Sequence, residues 1–257
     1  MHVALTPADP GAGALDGRAA LVVDVLRATS TVVAACCAGC RRVIPVGDAE
    51  AAVLAASRLP RDEVVLAGER GGEPIAGFDL GNSPLEFTPS RVGGRTIVLT
   101  TTNGTASMRS AGLARVGAAA ALVNVGAAAA WALGQERDVT VLCSGDDGAL
   151  SLEDTVCAGL LVQRMLARIP SLELSDAAVV ALRLGEYYGV RLGELLLHSR
   201  WAGRLAGRGR SADLQACVRL DTTTMVPVFE RGSIVPGPGV PASTADLAGA
   251  AGPETAR

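Results

Sequence analysis

The sequence predicts an α/β fold with three layers, in which a mainly parallel sheet is flanked by helices, with a helical segment and short strands toward the C-terminus. Three observations support this prediction. Short, nearly continuous apolar runs alternate with helix-like segments as far as residue 145, as expected for parallel strands that are buried on both faces. Helix-like segments dominate from Ser151, and a strand-like alternation returns at 216–235.

The apolar runs give the order of the strands. The first run, Ala19 to Val25, is short and β-branched, and it leads past Asp24 through a loop into a helix-like segment. This is the pattern of a strand-loop-helix unit. The same pattern predicts further strands at 41–46, 63–69, 95–105, 120–125 and 138–145.

Helices are predicted between these strands and after them. The segment DAEAAVLAASRL follows the second strand, and a short Ala-rich helix follows Thr105. Ser151 and Asp154 form an arrangement like a capping box at the start of SLEDTVCAGLLVQRML. Two more helical segments, SDAAVVALRLGEYYG and RLGELLLHSRWAGRLA, are expected to pack on the sheet, and the segment 216–235 predicts a terminal hairpin.

The chain is long enough for one large domain or two modest ones. We expect a folded unit over 1–235, either undivided or made of two intimately packed subdomains of about 1–135 and 136–235. The Pro, Gly and Ala content of 236–257 predicts a disordered tail.

Composition narrows the range of functions. The formal net charge of -3 and the isoelectric point near 5.5 leave no basic face, so nucleic acid is not expected as a partner and a small molecule is. All 23 basic residues are arginines. The chain therefore has no lysine for a Schiff base or for a phosphate-binding P-loop, which excludes pyridoxal-dependent enzymes and Walker-type ATPases.

The N-terminal sequence and the hydropathy pattern predict a cytoplasmic protein without a membrane partner. The segment MHVALTPADPGAGALDG lacks a cationic stretch followed by an apolar run, as a signal peptide would have. No apolar run reaches about 18 residues, the length needed to span a membrane. The sequence leaves open whether the chain forms a homo-oligomer.

The cysteine cluster is interpreted as buried rather than as a metal site. Cys36, Cys37 and Cys40 lie in TVVAACCAGC, an apolar, helix-like run in which cysteine behaves as a small hydrophobe. Only His2 and His198 are available to complete a zinc site. Burial also explains the cysteines without disulfide bonds.

Three polar strand ends are the candidate functional segments, because open α/β sheets bind ligands beyond the carboxyl ends of their strands. The first is Asp24 to Thr31, where a carboxylate suits Mg²⁺, Arg27 suits a phosphate or sulfonate, and the hydroxyls of Thr29 and Ser30 suit an anion at a helix start. Asp24 as a simple helix cap is an equally good interpretation of this segment alone.

The second segment, Gly68 to Asn82, combines Glu69, Arg70 and Asp79 with closely spaced glycines. Glycines allow backbone amides to approach a ligand closely. This pattern favours a metal and anion site over a plain surface loop.

The third segment, Thr100 to Thr105, ends a strand in polar residues. Thr101, Thr102, Asn103 and Gly104 would bring hydroxyls and helix N-terminal amides together. Alone, the Asn-Gly pair is better explained by a turn.

Glu153 or Asp154 could supply a further metal carboxylate from a helix N-terminus, and helix capping explains these two residues equally well. His198, Trp201, Trp131 and the tyrosines are interpreted as helix-surface or packing residues.

Together, DVLRATST, AGERGG, GFDLGNSP, TTNGT and the spacing between them closely resemble the 2-phosphosulfolactate phosphatase (ComB-type) family. CSGDDGALSLEDTVCAG and VRLDTTTMVPVFERGSI resemble more divergent segments of that family, so the resemblance covers nearly all of the chain before the tail. It implies an α/β fold and Mg²⁺-dependent hydrolysis of (R)-2-phospho-3-sulfolactate to 3-sulfolactate and phosphate, a step toward coenzyme M.

The resemblance also implies roles for the matched residues. The implied metal ligands are Asp24, Glu69 and Asp154. The implied catalytic residues are Asp24, Arg27, Glu69 and Arg70. The implied substrate-binding residues are Thr29, Ser30, Asn82, Thr101, Thr102, Asn103 and Gly104.

Three questions stay open from the sequence. The substrate could be another small 2-phospho acid, and the scaffold could be a non-catalytic anion-binding protein. Asp24 could attack phosphorus itself, but DVL lacks the second aspartate that serves such enzymes as acid and base. Attack by water activated by a metal and a carboxylate is therefore favoured.

Overall fold

A computed structural model describes residues 1–9, 11 and 15–237. Its strands form one mixed sheet in the order β1-β8-β2-β7-β9-β10-β3-β6-β4-β5. The strands are β1 His2–Ala4, β2 Ala19–Val23, β3 Arg42–Pro45, β4 Val64–Arg70, β5 Glu73–Pro74, β6 Thr96–Thr100, β7 Val116–Ala120, β8 Val139–Cys143, β9 Pro227–Glu230 and β10 Ser233–Pro236.

The strands form two parallel groups that the C-terminal hairpin joins. β1, β8, β2 and β7 are parallel to one another, and so are β3, β6 and β4. Between the groups, β7 pairs with β9, β9 with β10 and β10 with β3, and all three pairings are antiparallel. The two groups therefore run in opposite directions, which the sequence did not predict.

The helices follow the strands and then form a continuous series. They are α1 Ala28–Cys37, α2 Ala49–Ala56, α3 Pro89–Val92, α4 Gly104–Ala111, α5 Val125–Leu133, α6 Leu152–Leu166, α7 Asp176–Tyr188, α8 Leu192–His198, α9 Arg200–Gly207 and α10 Ser211–Cys217. Within the described ranges, no helix is long and apolar enough to cross a membrane.

Both faces of the sheet are covered, as β2 shows. Leu21 and Val23 point into the larger core cluster with α5 and α6, whereas Ala20 and Val22 point into a second cluster with α1 and α4. A strand with apolar side chains on both faces reads as a continuous apolar run. The predicted three-layer, mainly parallel α/β fold is confirmed.

The strand predicted at 120–125 was wrong. β7 ends at Ala120, and Leu122–Asn124 form a turn of 3₁₀ helix. The side chain of Asn124 ends the strand because its Oδ1 accepts from the Ala121 amide at 2.8 Å while its Nδ2 donates to the Met225 carbonyl at 2.9 Å. Asparagine side chains compete in this way with sheet pairing.

The C-terminal part also differs in detail from the prediction. The predicted hairpin begins only at Pro227, and residues 216 and 217 belong to α10, a helix that the sequence did not indicate. The tail was predicted to begin at Pro236, but this residue belongs to β10. The predicted tail from residue 238 onward lies outside the described residues.

Candidate active site

Segments from all three polar strand ends line one cavity of about 10 Å³, which is about the room needed for one water molecule. Trp201 lines this cavity and also borders a larger cavity of about 350 Å³. The residues that line the small cavity are Asp24, Leu26, Arg27, Glu69, Asn82, Thr102, Asn103 and Trp201.

Helix α4 brings the strand ends together although their strands run in opposite directions. It begins directly after β6 and packs against β2, β3 and α1. A Cβ atom on its first residue, Gly104, would lie 2.4 Å from the Ala28 Cβ and 2.5 Å from Asp24 Oδ2. Only glycine allows this approach, because real Cβ atoms do not come so close to other heavy atoms.

Asp24 is a buried carboxylate with one oxygen held and one free of hydrogen bonds. Its side chain accepts from the Ala28 amide at 3.0 Å through Oδ1, and no described residue donates a hydrogen bond to Oδ2. Burial raises the pKa of Asp24 from 3.8 to about 7, and the nearby charges of Glu69 and Glu153 also raise it. An isolated carboxylate is therefore poorly accommodated here without a positive charge.

Glu69 orders the glycine-rich loop around itself. One carboxylate oxygen accepts from the Gly72 amide at 2.7 Å and the other from the Thr102 amide at 2.7 Å. The Thr102 hydroxyl adds a bond of 3.2 Å. Because a carboxylate offers about four acceptor positions, Glu69 can still accept another ligand.

Arg27 is almost fully buried and is held by two protein groups. Its Nη1 donates to Asp213 Oδ2 at 2.5 Å, and its Nη2 donates to the Gly72 carbonyl at 2.9 Å. The other carboxylate oxygen of Asp213 accepts from the Ser83 hydroxyl at 2.6 Å. A guanidinium has five N–H donors, so Arg27 keeps donors for an anion.

Asn82 supplies an acceptor that no described group uses. The residue is 4% exposed, and its Oδ1 is buried without a hydrogen-bond partner. Buried polar atoms are seldom left unpaired. An oxygen of this kind at a cavity beside two carboxylates is suited to a cation.

Comparison with known proteins identifies the relationship. The sequence profile of the 2-phosphosulpholactate phosphatase family matches residues 5–232. The chain belongs to the 2-phosphosulfolactate phosphatase family. This confirms the resemblance seen in the sequence, and as a member of this family the chain is a hydrolase.

Curated relatives extend over most of the chain. Each is named a probable 2-phosphosulfolactate phosphatase. The relative from Symbiobacterium thermophilum is 41% identical over 88% of this chain and 97% of its own length. Those from Deinococcus radiodurans and Caldanaerobacter subterraneus are 40% and 34% identical, over 87% and 83% of this chain and 90% and 88% of their own lengths.

Some residues that the resemblance suggested for this family's site have other contacts in the structure. The Thr29 hydroxyl bonds to the backbone of Asp24, and the Ser30 hydroxyl donates to the Val25 carbonyl at 2.8 Å. The Thr101 hydroxyl accepts from the Thr105 amide at 3.1 Å. These hydroxyls shape the loops, and none of them belongs to the cavity lining.

Arg70 and Asp154 lie outside the cavity lining. Arg70 is exposed, and its guanidinium donates to the Glu69 carbonyl at 2.7 Å and to Thr100 Oγ1 at 2.9 Å. The carboxylate of Asp154 accepts from the amides of Val25 and Gly145 at 2.8 and 3.2 Å. Burial raises the pKa of Asp154 well above its usual value, and the charge of Asp24 raises it further.

Two residues that the late helices, α9 and α10, bring to the site were not predicted from the sequence. Asp213 comes from α10, and Trp201, taken as a packing residue, donates from Nε1 to the Leu26 carbonyl at 2.8 Å. Both partners lie more than 170 residues earlier in the chain. No local pattern of the sequence signals contacts of this kind.

A preassembled cluster of metal-binding side chains is absent from the part of the chain that the structure describes. No three His, Cys, Asp or Glu side chains there lie close enough to hold a metal ion. The available oxygens are instead two carboxylates, from Asp24 and Glu69, and the Asn82 amide. Mg²⁺ is commonly bound in this manner, with one or two carboxylates and with the remaining positions filled by water and substrate phosphate.

Proposed function

We propose that this chain hydrolyses 2-phosphosulfolactate to 3-sulfolactate and phosphate in an Mg²⁺-dependent reaction, as a step toward coenzyme M. The family match over residues 5–232 and the names of the curated relatives support the reaction. The observation that carries the proposal is the buried convergence of Asp24, Glu69, Arg27 and Asn82 on one cavity.

The charges at the site support the requirement for a cation. The cavity lining contains two carboxylates and one guanidinium, and Asp213 already pairs with that guanidinium. The proposed substrate carries phosphate, carboxylate and sulfonate groups. Binding so many negative charges beside Asp24 and Glu69 requires further positive charge at the site.

Asp24, Glu69 and Asn82 are the residues that would hold Mg²⁺. Asp24 Oδ2 and Asn82 Oδ1 accept no hydrogen bond from the described residues, and both belong to residues of the lining. When bound, Mg²⁺ would neutralise phosphoryl oxygens and polarise the phosphorus centre.

The protein groups around the cavity would orient the anion. Arg27 presents its remaining N–H donors, which stabilise charge as the ester oxygen leaves. Asn103 lies at the N-terminus of α4 and lines the cavity, where the positive end of the helix dipole favours negative charge. Thr102 lines the same cavity.

The proposed function is tested by phosphate release from a panel of substrates. The panel contains 2-phosphosulfolactate, phosphoglycolate, 2-phosphoglycerate and phospholactate, each assayed with Mg²⁺ and after EDTA treatment. We expect the highest kcat/KM with 2-phosphosulfolactate and loss of turnover in EDTA. Equal rates across the panel would sink the substrate assignment, and absence of turnover in every condition would favour a binding protein.

The nucleophile is tested by rapid-quench labelling with ³²P-labelled substrate. Direct attack by water leaves no label on the protein, and this is the expected result. An acid-stable label that hydroxylamine removes would instead identify an acyl phosphate on a carboxylate such as Asp24, which lines the cavity.

A further inference from the structure

Asp213 is a buried aspartate far in sequence from every predicted site segment. It lies in α10 and is 5% exposed. Both of its carboxylate oxygens are used, one by Arg27 Nη1 and the other by the Ser83 hydroxyl. Ser83 directly follows Asn82, so this one side chain joins the first two site segments through groups next to the cavity.

The guanidinium of Arg27 is thereby fixed on two sides. Asp213 holds Nη1, and the Gly72 carbonyl holds Nη2. A free arginine side chain samples many rotamers, whereas a planar guanidinium with two fixed bonds has one orientation. A group that is oriented before the reaction loses no freedom during it.

Asp213 acts without touching the ligand. Arg27 lines the cavity, whereas Asp213 does not. Its negative charge also weakens the attraction of Arg27 for an anion, so Asp213 does not serve to increase the positive charge of the site. Orientation of Arg27 is the role that remains for it.

We propose that Asp213 is a positioning residue, which holds the guanidinium of Arg27 in the orientation that meets the phosphoryl group. This inference rests on the proposed phosphatase function. It predicts that Asp213 contributes to turnover only through Arg27. Removal of Asp213 should then have no further effect once Arg27 is gone.

A double-mutant cycle tests this dependence. Steady-state kinetics are measured for the wild type, Arg27→Ala, Asp213→Ala and the double variant, at saturating Mg²⁺. We expect Asp213→Ala, which removes the acceptor of Arg27 Nη1, to lower kcat by about 10- to 100-fold, the range for a residue that orients a catalytic group. KM should change little, and the double variant should match Arg27→Ala. If the loss of kcat in the double variant were instead the product of the losses in the two single variants, the proposal would be overturned.

Asp221→Asn is the matched control. Asp221 pairs with Arg164 at 3.0 Å, and its Oδ1 accepts from the Gly126 amide at 2.6 Å. Asparagine keeps an oxygen for that amide and tolerates the positive φ of 48° at this position. The control loses the same charge as Asp213→Ala and should keep the wild-type kcat. Ser83→Ala, which removes one of the two partners of Asp213, should lower kcat several-fold.

A second readout does not require turnover. In protein labelled with ¹³C and ¹⁵N at arginine, the fixed guanidinium of Arg27 should give separate, slowly exchanging Nη signals, assigned by their absence in Arg27→Ala. Asp213→Ala should merge these signals, and Asp221→Asn should not. Signals unchanged in Asp213→Ala would overturn the proposal whether or not the wild type is a phosphatase.

Folding is controlled separately from positioning. Each variant is compared with the wild type by thermal unfolding. If Arg27→Ala leaves Asp213 unpaired and does not fold, Arg27→Lys replaces it in the cycle, because lysine keeps the charge but not the two-sided guanidinium contact. Absence of wild-type turnover would count against the proposed function, and the arginine signals would still decide the role of Asp213.

Discussion

Asp24 combines a functional position with a cost to folding. Burial and the charges of Glu69 and Glu153 raise its pKa to about 7, so the folded state disfavours the ionised carboxylate. Catalytic sites often retain unfavourable groups of this kind, and their replacement can stabilise a protein while removing activity.

Asp24→Asn should therefore raise the melting temperature in EDTA, in a way that depends on pH. Well below pH 3.8, Asp24 is protonated in both states and no penalty exists. Between 3.8 and about 7 the folded state holds a proton that the unfolded state has lost, so wild-type stability falls as pH rises. The difference in melting temperature between the variant and the wild type should grow over this window and then level off. Each kcal/mol of difference in the free energy of unfolding corresponds to about 2 to 4 °C.

Calorimetric scans across the pH range measure this difference. Addition of Mg²⁺ should reduce the difference in melting temperature, because a bound cation favours the ionised carboxylate of the wild type. An advantage that is constant from pH 4 to 8 would contradict a role for Asp24 ionisation.

Gly104→Ala should lower both stability and turnover. The new methyl group would overlap Ala28 and Asp24 Oδ2, and overpacking of this kind costs about 1 to 3 kcal/mol. Gly193→Ala in α8 is the control, because nothing lies within 4 Å of its added Cβ, and alanine favours a helix by about 0.5 to 1 kcal/mol. Melting temperatures that move the same way in both variants would refute the close approach of α4.

Much of the cavity lining was predictable, because each residue follows a recognisable strand. Asp24, Glu69, Thr102 and Asn103 follow or end apolar runs, which local periodicity reveals. Asp213 was not predictable, because a single aspartate in a short helix has the same local pattern whether it caps the helix or reaches a partner 186 residues away.

At the scale of elements, α9 and α10 contact two of the site segments. Trp201 in α9 donates to the Leu26 carbonyl, and Arg208, which directly follows α9, donates to the Gly71 carbonyl. Gly72 is packed against Trp201 and Leu205. The late helices thus hold the backbone of two site segments, a function that their amphipathic sequences do not reveal.

Trp201→Phe tests this contact with the aromatic ring retained. The Leu26 carbonyl loses its donor, which should cost about 1 to 3 kcal/mol, and kcat/KM should fall several-fold because Leu26 precedes Arg27. Trp131→Phe is the control, because no hydrogen bond from its indole to a described residue is found. Equal kinetics in the two variants would show that α9 does not hold the site.

The prediction of elements worked best where a strand is fully buried. β2, β4 and β8 gave continuous apolar runs at nearly the observed bounds. It was wrong at 120–125, where the Asn124 side chain bonds to the backbone and ends β7. A side-chain contact decided that boundary, and periodicity does not register it.

At the scale of the whole molecule, the C-terminal hairpin joins the two halves of the sheet. A chain that ends at Val226 lacks β9 and β10 and leaves the edges of β7 and β3 unpaired. Exposed edges of this kind promote aggregation, so we expect little soluble protein. A chain that ends at Gly237 keeps both strands and should melt as the full chain does.

Soluble yield and circular dichroism compare the two truncated chains. A soluble, active protein ending at Val226 would show that the halves associate without the hairpin. The sequence did not predict that the hairpin pairs with both groups of strands, or that the two groups therefore run in opposite directions. The alternation of side chains along a strand specifies which face is buried, but it does not specify the neighbouring strand.

The central position of the hairpin also determines when this protein can become active during its synthesis. A ribosome produces Asp24, Glu69 and Asn103 long before residues 227–236, and domains generally fold as units while the N-terminal part emerges first. Here the last strands of the sheet occupy its middle. The two sets of strands in the nascent chain therefore stay unjoined until residues 227–236 have been synthesised and have left the ribosome.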